Sequence, residues 1–235
     1  MTDDANPVST PQQPPRDRRR RPAARPQQPK QPAKAVNPVL ERLFALYPKL
    51  FGAKFVPLKL GVFQDLLARH PDVFQRDELK LAMGQHARST RYLESVAAGH
   101  PRHDLDGQPL EPVAPEHVHH AIVELFRRRQ ARSREDLRPR LTQQLMQAIE
   151  ASGLSREDYA ERVRVQDPAN NALLDDALTE LGLQAARREA LLRTFEASGR
   201  SEAEFADMYG MELTEVSRVL ALVRSQQAAK TASAE

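Results

Sequence analysis

Two arginines and a tyrosine near the middle of the sequence are spaced for contact with phosphates and bases. Arg88, Arg91 and Tyr92 stand at positions i, i+3 and i+4, which places their side chains on one face of a helix. A guanidinium group can form paired hydrogen bonds with phosphate oxygens, and a tyrosine ring can stack on an unpaired base. The same spacing also fits a solvated helix face with Tyr92 in the core, so the spacing alone leaves both interpretations open.

The residue types that usually carry catalysis or bind metals are poorly arranged for either role. His117, His119 and His120 lie close together, but no carboxylate or cysteine completes a metal site with them. Asp104 and Asp106 flank a turn, where aspartate commonly shapes the backbone. The sequence has no cysteine, P-loop, nucleophile elbow or HExxH motif. We therefore expect no enzyme activity, no catalytic residues, no metal and no cofactor.

Charge is distributed unevenly along the chain. Residues 1–35 contain eight basic against three acidic residues, whereas residues 133–235 contain 13 against 18. The first segment is rich in Pro, Gln and Arg and nearly free of large apolar residues, so we expect it to be a disordered basic arm. Its consecutive arginines are Arg18, Arg19, Arg20 and Arg21. They could form an accessory nucleic-acid-binding arm through phosphate contacts, or serve only as a solubilising tail.

Helical periodicity begins at Asn37 and continues over residues 36–132, which we expect to form a compact, mainly α-helical domain. Asn37 and Pro38 suit the N-cap and the first position of its first helix. Further helical patterns start near Pro57, after Asp77, at Ser89 and at Pro115. A break is expected near Gly84–His86. Asp106-Gly107 is typical of the turn in a small β-hairpin.

Three sequence blocks within this domain resemble blocks of the ProQ/FinO family. Pro57–Leu66 reads PLKLGVFQDL and resembles PLKIGIF-DL; Ser89–Leu93 reads STRYL and is similar to S-x-RYL; Arg102–Pro109 reads RHDLDGQP and resembles R-x-DLDG-P. The blocks occur in the family's order and at its separations. The resemblance covers about residues 37–130 and does not extend to the rest of the chain.

The resemblance implies an RNA chaperone with a mostly helical fold, a small β element and a concave basic face that binds RNA. Members of the family bind structured small RNAs and mRNA 3′ regions, especially a terminator hairpin with its single-stranded 3′ tail, in post-transcriptional regulation. With Arg88 added from the helix-face argument, the candidate RNA-binding residues are Lys59, Lys80, Arg88, Arg91, Tyr92 and Arg102. The sequence departs from the family at Ala87, which lacks a hydroxyl that could contact the RNA terminus, and at Gly84, where a longer residue is frequent.

Residues 137–225 contain two copies of a helical pattern at an offset of 46 residues. Glu150–Gly153 recurs as Glu196–Gly199, and each copy continues with a Ser, an acidic stretch, an aromatic residue and Ala. Each copy predicts a helix, a Gly stop and a second helix with a Ser N-cap. We expect a duplicated helical unit whose halves pack on each other, followed by a disordered tail at residues 226–235.

The second copy also has features of a helix-turn-helix over residues 201–219. Ala206, Gly210 and Val216 occupy the small, turn and buried positions of that motif. A DNA-binding transcriptional regulator is therefore the alternative function. The acidic balance of the region favours a structural or protein-binding unit instead.

Hydropathy gives an expectation for the cellular location. No apolar run approaches the roughly 20 residues of a membrane span, and the N-terminal residues do not form an apolar signal segment. We therefore expect a cytoplasmic protein with RNA as its main partner and no membrane association. A protein partner could bind through the C-terminal helical region.

Overall fold

Helices make up most of the computed structural model, which describes residues 37–232. The described helices are α1 (Pro38–Leu46), α2 (Pro48–Phe51), α3 (Val62–Arg69), α4 (Arg76–Ala87), α5 (Thr90–Ala97), α6 (Pro115–Gln130), α7 (Arg138–Ala151), α8 (Arg156–Val163), α9 (Pro168–Ser198), α10 (Glu202–Tyr209) and α11 (Leu213–Ala232). The mainly helical fold is as predicted. None of these helices is both long enough and apolar enough to cross a membrane. The predicted basic arm at residues 1–35, with Arg18, Arg19, Arg20 and Arg21, lies outside the described residues.

Local sequence signals set the starts of several helices. The side chain of Asn37 accepts a hydrogen bond from the Val39 amide at 2.9 Å, and Pro38 occupies the first turn of α1. The Ser89 hydroxyl accepts a hydrogen bond from the Tyr92 amide and caps α5. Such side-chain acceptors satisfy amides that have no partner inside the helix. The cap at Ser89 fixes where the face with Arg91 and Tyr92 begins.

Two expectations about helix boundaries are wrong. The segment from Pro57 to Gly61 is not helical, because the Lys59 amide donates to the His103 carbonyl and the His103 amide donates to the Pro57 carbonyl, both at 2.8 Å. These long-range bonds replace the local ones that a helix would need. Helix α4 also continues through Gly84, whose cost within a helix is only about 1 kcal/mol.

The segment after Arg102 forms a tight turn with isolated β-bridges. Arg102 exchanges backbone hydrogen bonds with Leu110 and Glu111, while His103 bridges to Leu58 and to Pro109. Proline has no amide hydrogen, so Pro109 cannot extend the ladder. The predicted β-hairpin is therefore not confirmed as a pair of strands in residues 37–232.

The first part of the chain contains two hydrophobic clusters that share Tyr92 at their border. The larger cluster is built from α1 to α4, and its fully buried members include Leu43, Phe51, Leu66 and Leu79. The smaller cluster joins α5 to α6. Tyr92 packs partly buried against both. A candidate site residue thus also contributes to packing.

Helix α6 belongs to a third cluster as well. Its residues Ile122 and Val123 are buried with side chains of α7, α8 and α9. On the same side of α6, the Tyr159 hydroxyl lies 3.3 Å from Nδ1 of His119. The predicted domain boundary between residues 132 and 137 lies in the connection from α6 to α7. The third cluster contains residues from both sides of this connection.

Both predicted repeat copies have the local features of a Gly stop and a Ser cap, but they pack differently. Gly153 and Gly199 have positive φ angles, and the hydroxyls of Ser155 and Ser201 cap the helices that follow. The first copy is buried against α6, whereas the second forms a separate cluster with α11. Within residues 137–225, the two copies do not share a hydrophobic cluster, so the expected packing of the two halves on each other is not confirmed, and neither is the duplication itself.

The segment with helix-turn-helix features forms α10, a turn and α11. Gly210 adopts a left-handed conformation with φ 63°, while Ala206 and Val216 are buried in one cluster. Helix α11 extends to Ala232, although a disordered tail was expected from residue 226. Its residues around 226–230 are mostly good helix formers, so helix propensity continues past the core contacts.

Candidate nucleic-acid interface

A pocket of about 500 Å³ lies where α5, α6 and the end of α4 meet. Three of the six predicted RNA-binding residues line it, namely Arg88, Tyr92 and Arg102. The other lining residues are Leu60, Ala87, Leu93, Val96, His117, His120, Ala121, Glu124 and Arg128. Since three arginines face one glutamate in this wall, the pocket suits an anionic ligand.

Arg88 is exposed and its backbone is held in place. It ends α4, and its carbonyl accepts a hydrogen bond from Nη1 of Arg128 at 2.7 Å. Its guanidinium lies above Gly84, where an added Cβ would be 3.3 Å from Nη2. The side chain of Arg88 forms no ion pair among residues 37–232. Its charge is therefore available for a ligand.

Lys59, Lys80 and Arg91 do not line the pocket. Lys80 on α4 and Arg91 on α5 are exposed and form no ion pair in the described part of the chain. Lys59 forms an ion pair of 2.9 Å with Asp65, and this hydrogen bond raises the pKa of the lysine. The convergence of all the predicted residues on one surface stays a prediction.

Tyr92 has both a packing role and a surface role. Its hydroxyl accepts a hydrogen bond from the Leu58 amide at 3.2 Å, and its ring centroid lies 5.0 Å from that of His86. The side chain of Tyr92 also lines the pocket, where it is half-buried, so the part of its ring that is exposed there can contact a ligand.

Arg102 is largely a structural residue. Only 7% of its surface is exposed, and Nη1 donates to the Leu58 carbonyl at 2.9 Å while Nη2 lies 3.2 Å from Nδ1 of His117. Tyr92 and Arg102 thus bind the amide and the carbonyl of the same residue, Leu58. This holds the Pro57–Lys59 segment against the pocket, so Arg102 shapes the site even where it does not touch a ligand.

Two residues at or next to the pocket were not identified from the sequence, namely Arg128, which lines it, and His86, which is buried beside Tyr92 and does not line it. His86 is 2% exposed and lies between the rings of Phe51, Phe55 and Tyr92. Its burial lowers its pKa to about 4, so the ring is neutral at physiological pH. Arg128 could have been found from the run of arginines that ends α6, but no sequence signal places that run beside Arg88.

The three neighbouring histidines of α6 do not act as one group. His117 and His120 line the pocket, whereas His119 is buried on the other side against Tyr159. In the part of the chain that the structure describes, no three His, Asp or Glu side chains are grouped to hold a metal ion. Asp104 accepts hydrogen bonds from the amides of Asp106 and Gln108, both at 2.9 Å, and so shapes the turn as expected.

Known proteins are similar to the part of the chain that carries this pocket. The model of the ProQ/FINO family matches residues 33–138. A protein named RNA chaperone ProQ from Shewanella oneidensis is 42% identical over 89 residues, which are 36% of this chain and 42% of the relative. The protein of that name from Aliivibrio salmonicida is 40% identical over 83 residues, which are 34% of this chain and 40% of the relative.

These relatives are thus matched over less than half of their own length. Among solved structures, a FinO-like RNA chaperone from Neisseria meningitidis is similar with a TM-score of 0.34 and 29% identity, over 37% of this chain and 88% of that one. The family model covers the sequence blocks that form the pocket wall. Residues 33–138 of this chain are therefore similar in sequence to the ProQ/FINO family.

Proposed function

We propose that this protein is an RNA chaperone that acts in post-transcriptional regulation. It binds structured small RNAs and mRNA 3′ regions, each presenting a terminator hairpin with a single-stranded 3′ tail. The observation that carries the proposal is the pocket with Arg88, Tyr92 and Arg128, because it lies in the domain whose relatives are named RNA chaperones. The chain is proposed to do this in the cytoplasm.

The pocket chemistry suits the end of an RNA strand. The deep major groove of A-form RNA gives side chains little access to the bases, so a hairpin stem is bound mainly through phosphates and shape. Arg88, Arg91 and Lys80 carry exposed charges that can bind those phosphates. The half-buried ring of Tyr92 can stack on an unpaired base of the tail.

The position next to Arg88 affects selectivity for the 3′ end. Ala87 lines the pocket but has no hydroxyl to contact a terminal ribose. The guanidinium of Arg88, which lies above Gly84, offers charge there instead. We propose that this chain selects tailed hairpins through phosphate contacts and stacking rather than through a side-chain hydroxyl at residue 87.

The DNA-binding alternative is less well supported. Glu212 and Glu215 are exposed at the start of α11, where a recognition helix would approach DNA phosphates. Like charges at such a contact weaken binding. We propose that residues 137–225 are instead a structural unit that is available to a protein partner.

The test compares a tailed RNA hairpin with the same hairpin cut flush at its 3′ end. Wild type should bind the tailed RNA at least tenfold more tightly. The variant Arg88→Gln/Arg91→Gln should lose roughly a hundredfold or more in affinity for the tailed RNA, since each of the two lost charge-assisted hydrogen bonds contributes about 1.5–3 kcal/mol.

The matched control is Arg187→Gln/Arg218→Gln, which removes the same charge from exposed positions on α9 and α11. It should bind like wild type. Equal affinity of wild type for tailed and blunt hairpins would disprove the 3′-end mechanism. Failure to bind either RNA would disprove the proposed function.

A further inference from the structure

Seven arginines surround the end of α6 and the connection to α7. Between residues 127 and 140 they face only two acidic residues, Glu135 and Asp136. We call this set the arginine patch: Arg127, Arg128, Arg129, Arg132, Arg134, Arg138 and Arg140. Such a concentration of like charge is unfavourable for folding unless something neutralises it.

The protein neutralises only part of the patch. The first three arginines end α6, where cations are favoured by the helix dipole, and each has an acidic partner. These ion pairs are Arg127–Asp167, Arg128–Glu124 and Arg129–Glu94. The remaining four are exposed and form no ion pair among residues 37–232, namely Arg132, Arg134, Arg138 and Arg140.

The patch is continuous with the candidate RNA pocket. Arg128 lines that pocket on one side and, on its other side, a cleft of about 350 Å³ that also contains Arg129 and Arg132. A second cleft of about 530 Å³ next to the end of α6 is lined by Arg127, Arg134 and Arg138. The unpaired charges therefore extend the pocket around the end of α6.

Guanidinium groups in open clefts suit the phosphates of a nucleic-acid backbone, because each can bind two oxygens of one phosphate. A membrane surface fits less well. Binding there usually adds exposed apolar side chains that enter the lipid, and the only large apolar residue between positions 127 and 140 is Leu137, which is half-buried. An RNA already held at the pocket would bring its next phosphates to these arginines.

We propose that the unpaired arginines of the patch bind the phosphate backbone of the RNA stem beyond the pocket. This inference rests on the proposed function. It assigns the pocket to the end of the RNA and the patch to the stem. The two surfaces make separable contributions: the pocket distinguishes tailed from blunt RNA, and the patch adds affinity that depends on salt but not on the tail.

The test uses the full chain with four substitutions, Arg132→Gln, Arg134→Gln, Arg138→Gln and Arg140→Gln. The matched control removes four other exposed arginines that form no ion pair, through Arg162→Gln, Arg187→Gln, Arg200→Gln and Arg218→Gln. Both variants lower the net charge equally. Circular dichroism and melting should show that both remain folded, since no described side-chain contact is removed from the patch.

Affinity for the tailed hairpin is measured against salt concentration. Each lost phosphate contact reduces the slope of log affinity against log salt by about 0.7–0.9, so the loss of four contacts should lower the slope of the patch variant by about 3, whereas the control keeps the wild-type slope. The patch variant should also keep the full ratio between tailed and blunt RNA.

Three results would overturn the inference. If the patch variant has the same slope of log affinity against log salt as the control, the stem does not contact these arginines. The proposed function would still hold in that case if wild type binds tailed RNA more tightly than blunt RNA. Loss of binding to anionic phosphatidylglycerol vesicles, with RNA binding unchanged, would assign the patch to a membrane. Failure of wild type to bind RNA at all would disprove the proposed function and this inference together.

Discussion

Substitution of Arg102 should reveal a structural residue at a position where the sequence predicts an RNA contact. Arg102→Met keeps much of the side-chain volume but removes the guanidinium that donates to the Leu58 carbonyl and lies against His117. Leu58 is 4% exposed, so its carbonyl would lose a charged donor with little access to water. A hydrogen bond to a charged group contributes about 1.5–3 kcal/mol, and we expect a loss of about 3 kcal/mol.

For a protein of this size, that loss corresponds to a fall in Tm of roughly 6–12 °C. The assay is thermal unfolding, combined with RNA binding at a temperature where both proteins are folded. Arg102→Lys should not restore stability, because an ammonium cannot reproduce the two directions of the guanidinium fork.

The matched control is Arg91→Met. Arg91 is exposed and forms no ion pair among the described residues, so its loss should change the free energy of unfolding by no more than about 0.5 kcal/mol while weakening RNA binding. If Arg102→Met melts like wild type and binds RNA as weakly as the Arg91 variant, the structural role assigned to Arg102 is wrong.

Three further substitutions or conditions test the surroundings of the pocket. Tyr92→Phe removes the hydroxyl that accepts a hydrogen bond from the Leu58 amide, so it should lower the free energy of unfolding, measured in urea, by about 1–3 kcal/mol. Because the ring is retained, RNA affinity should stay within about twofold of wild type. Gly84→Ala should stabilise the protein by about 0.5–1 kcal/mol, because alanine favours the helix and its Cβ meets only the flexible end of a side chain. Burial lowers the pKa values of His86 and His119 to about 4. Below pH 6.5 the unfolded chain therefore takes up protons at these histidines that the folded protein does not. The free energy of unfolding, measured in urea, should be at its full value above pH 6.5 and should be lower by about 2 kcal/mol per histidine at pH 5.

Local chemistry made part of this structure predictable. The cap at Asn37 depends on a residue two positions away and forms as expected, and α5 begins next to Ser89, where the helical pattern predicts a start. These local features need no knowledge of distant contacts, which is why a single sequence is enough to predict them. The prediction that Arg88, Arg91 and Tyr92 share one helix face is wrong, because Arg88 ends α4 and the extended backbone of Ser89 separates it from Arg91 and Tyr92 on α5.

Features set by distant contacts were not predictable. The extended segment before α3 exists because of hydrogen bonds to His103, about 45 positions away in the chain, and the exposure of Leu60 follows from it. The role of Arg102 depends on the same segment. The resemblance to the ProQ/FinO family predicts Arg102 to be an RNA contact, although its guanidinium is largely enclosed by protein groups.

Helix α6 links the pocket to the C-terminal helices. One side of it carries Arg128 and His120 to the pocket wall, while another buries Ile122 and Val123 against α7, α8 and α9. The position of the pocket wall therefore depends on apolar contacts made by helices outside the matched domain. Residues 137–181 consequently support the binding surface even if they never touch RNA. The arginine patch lies in the connection between the domain that carries the pocket and these supporting helices, so a ligand bound at the patch contacts both parts.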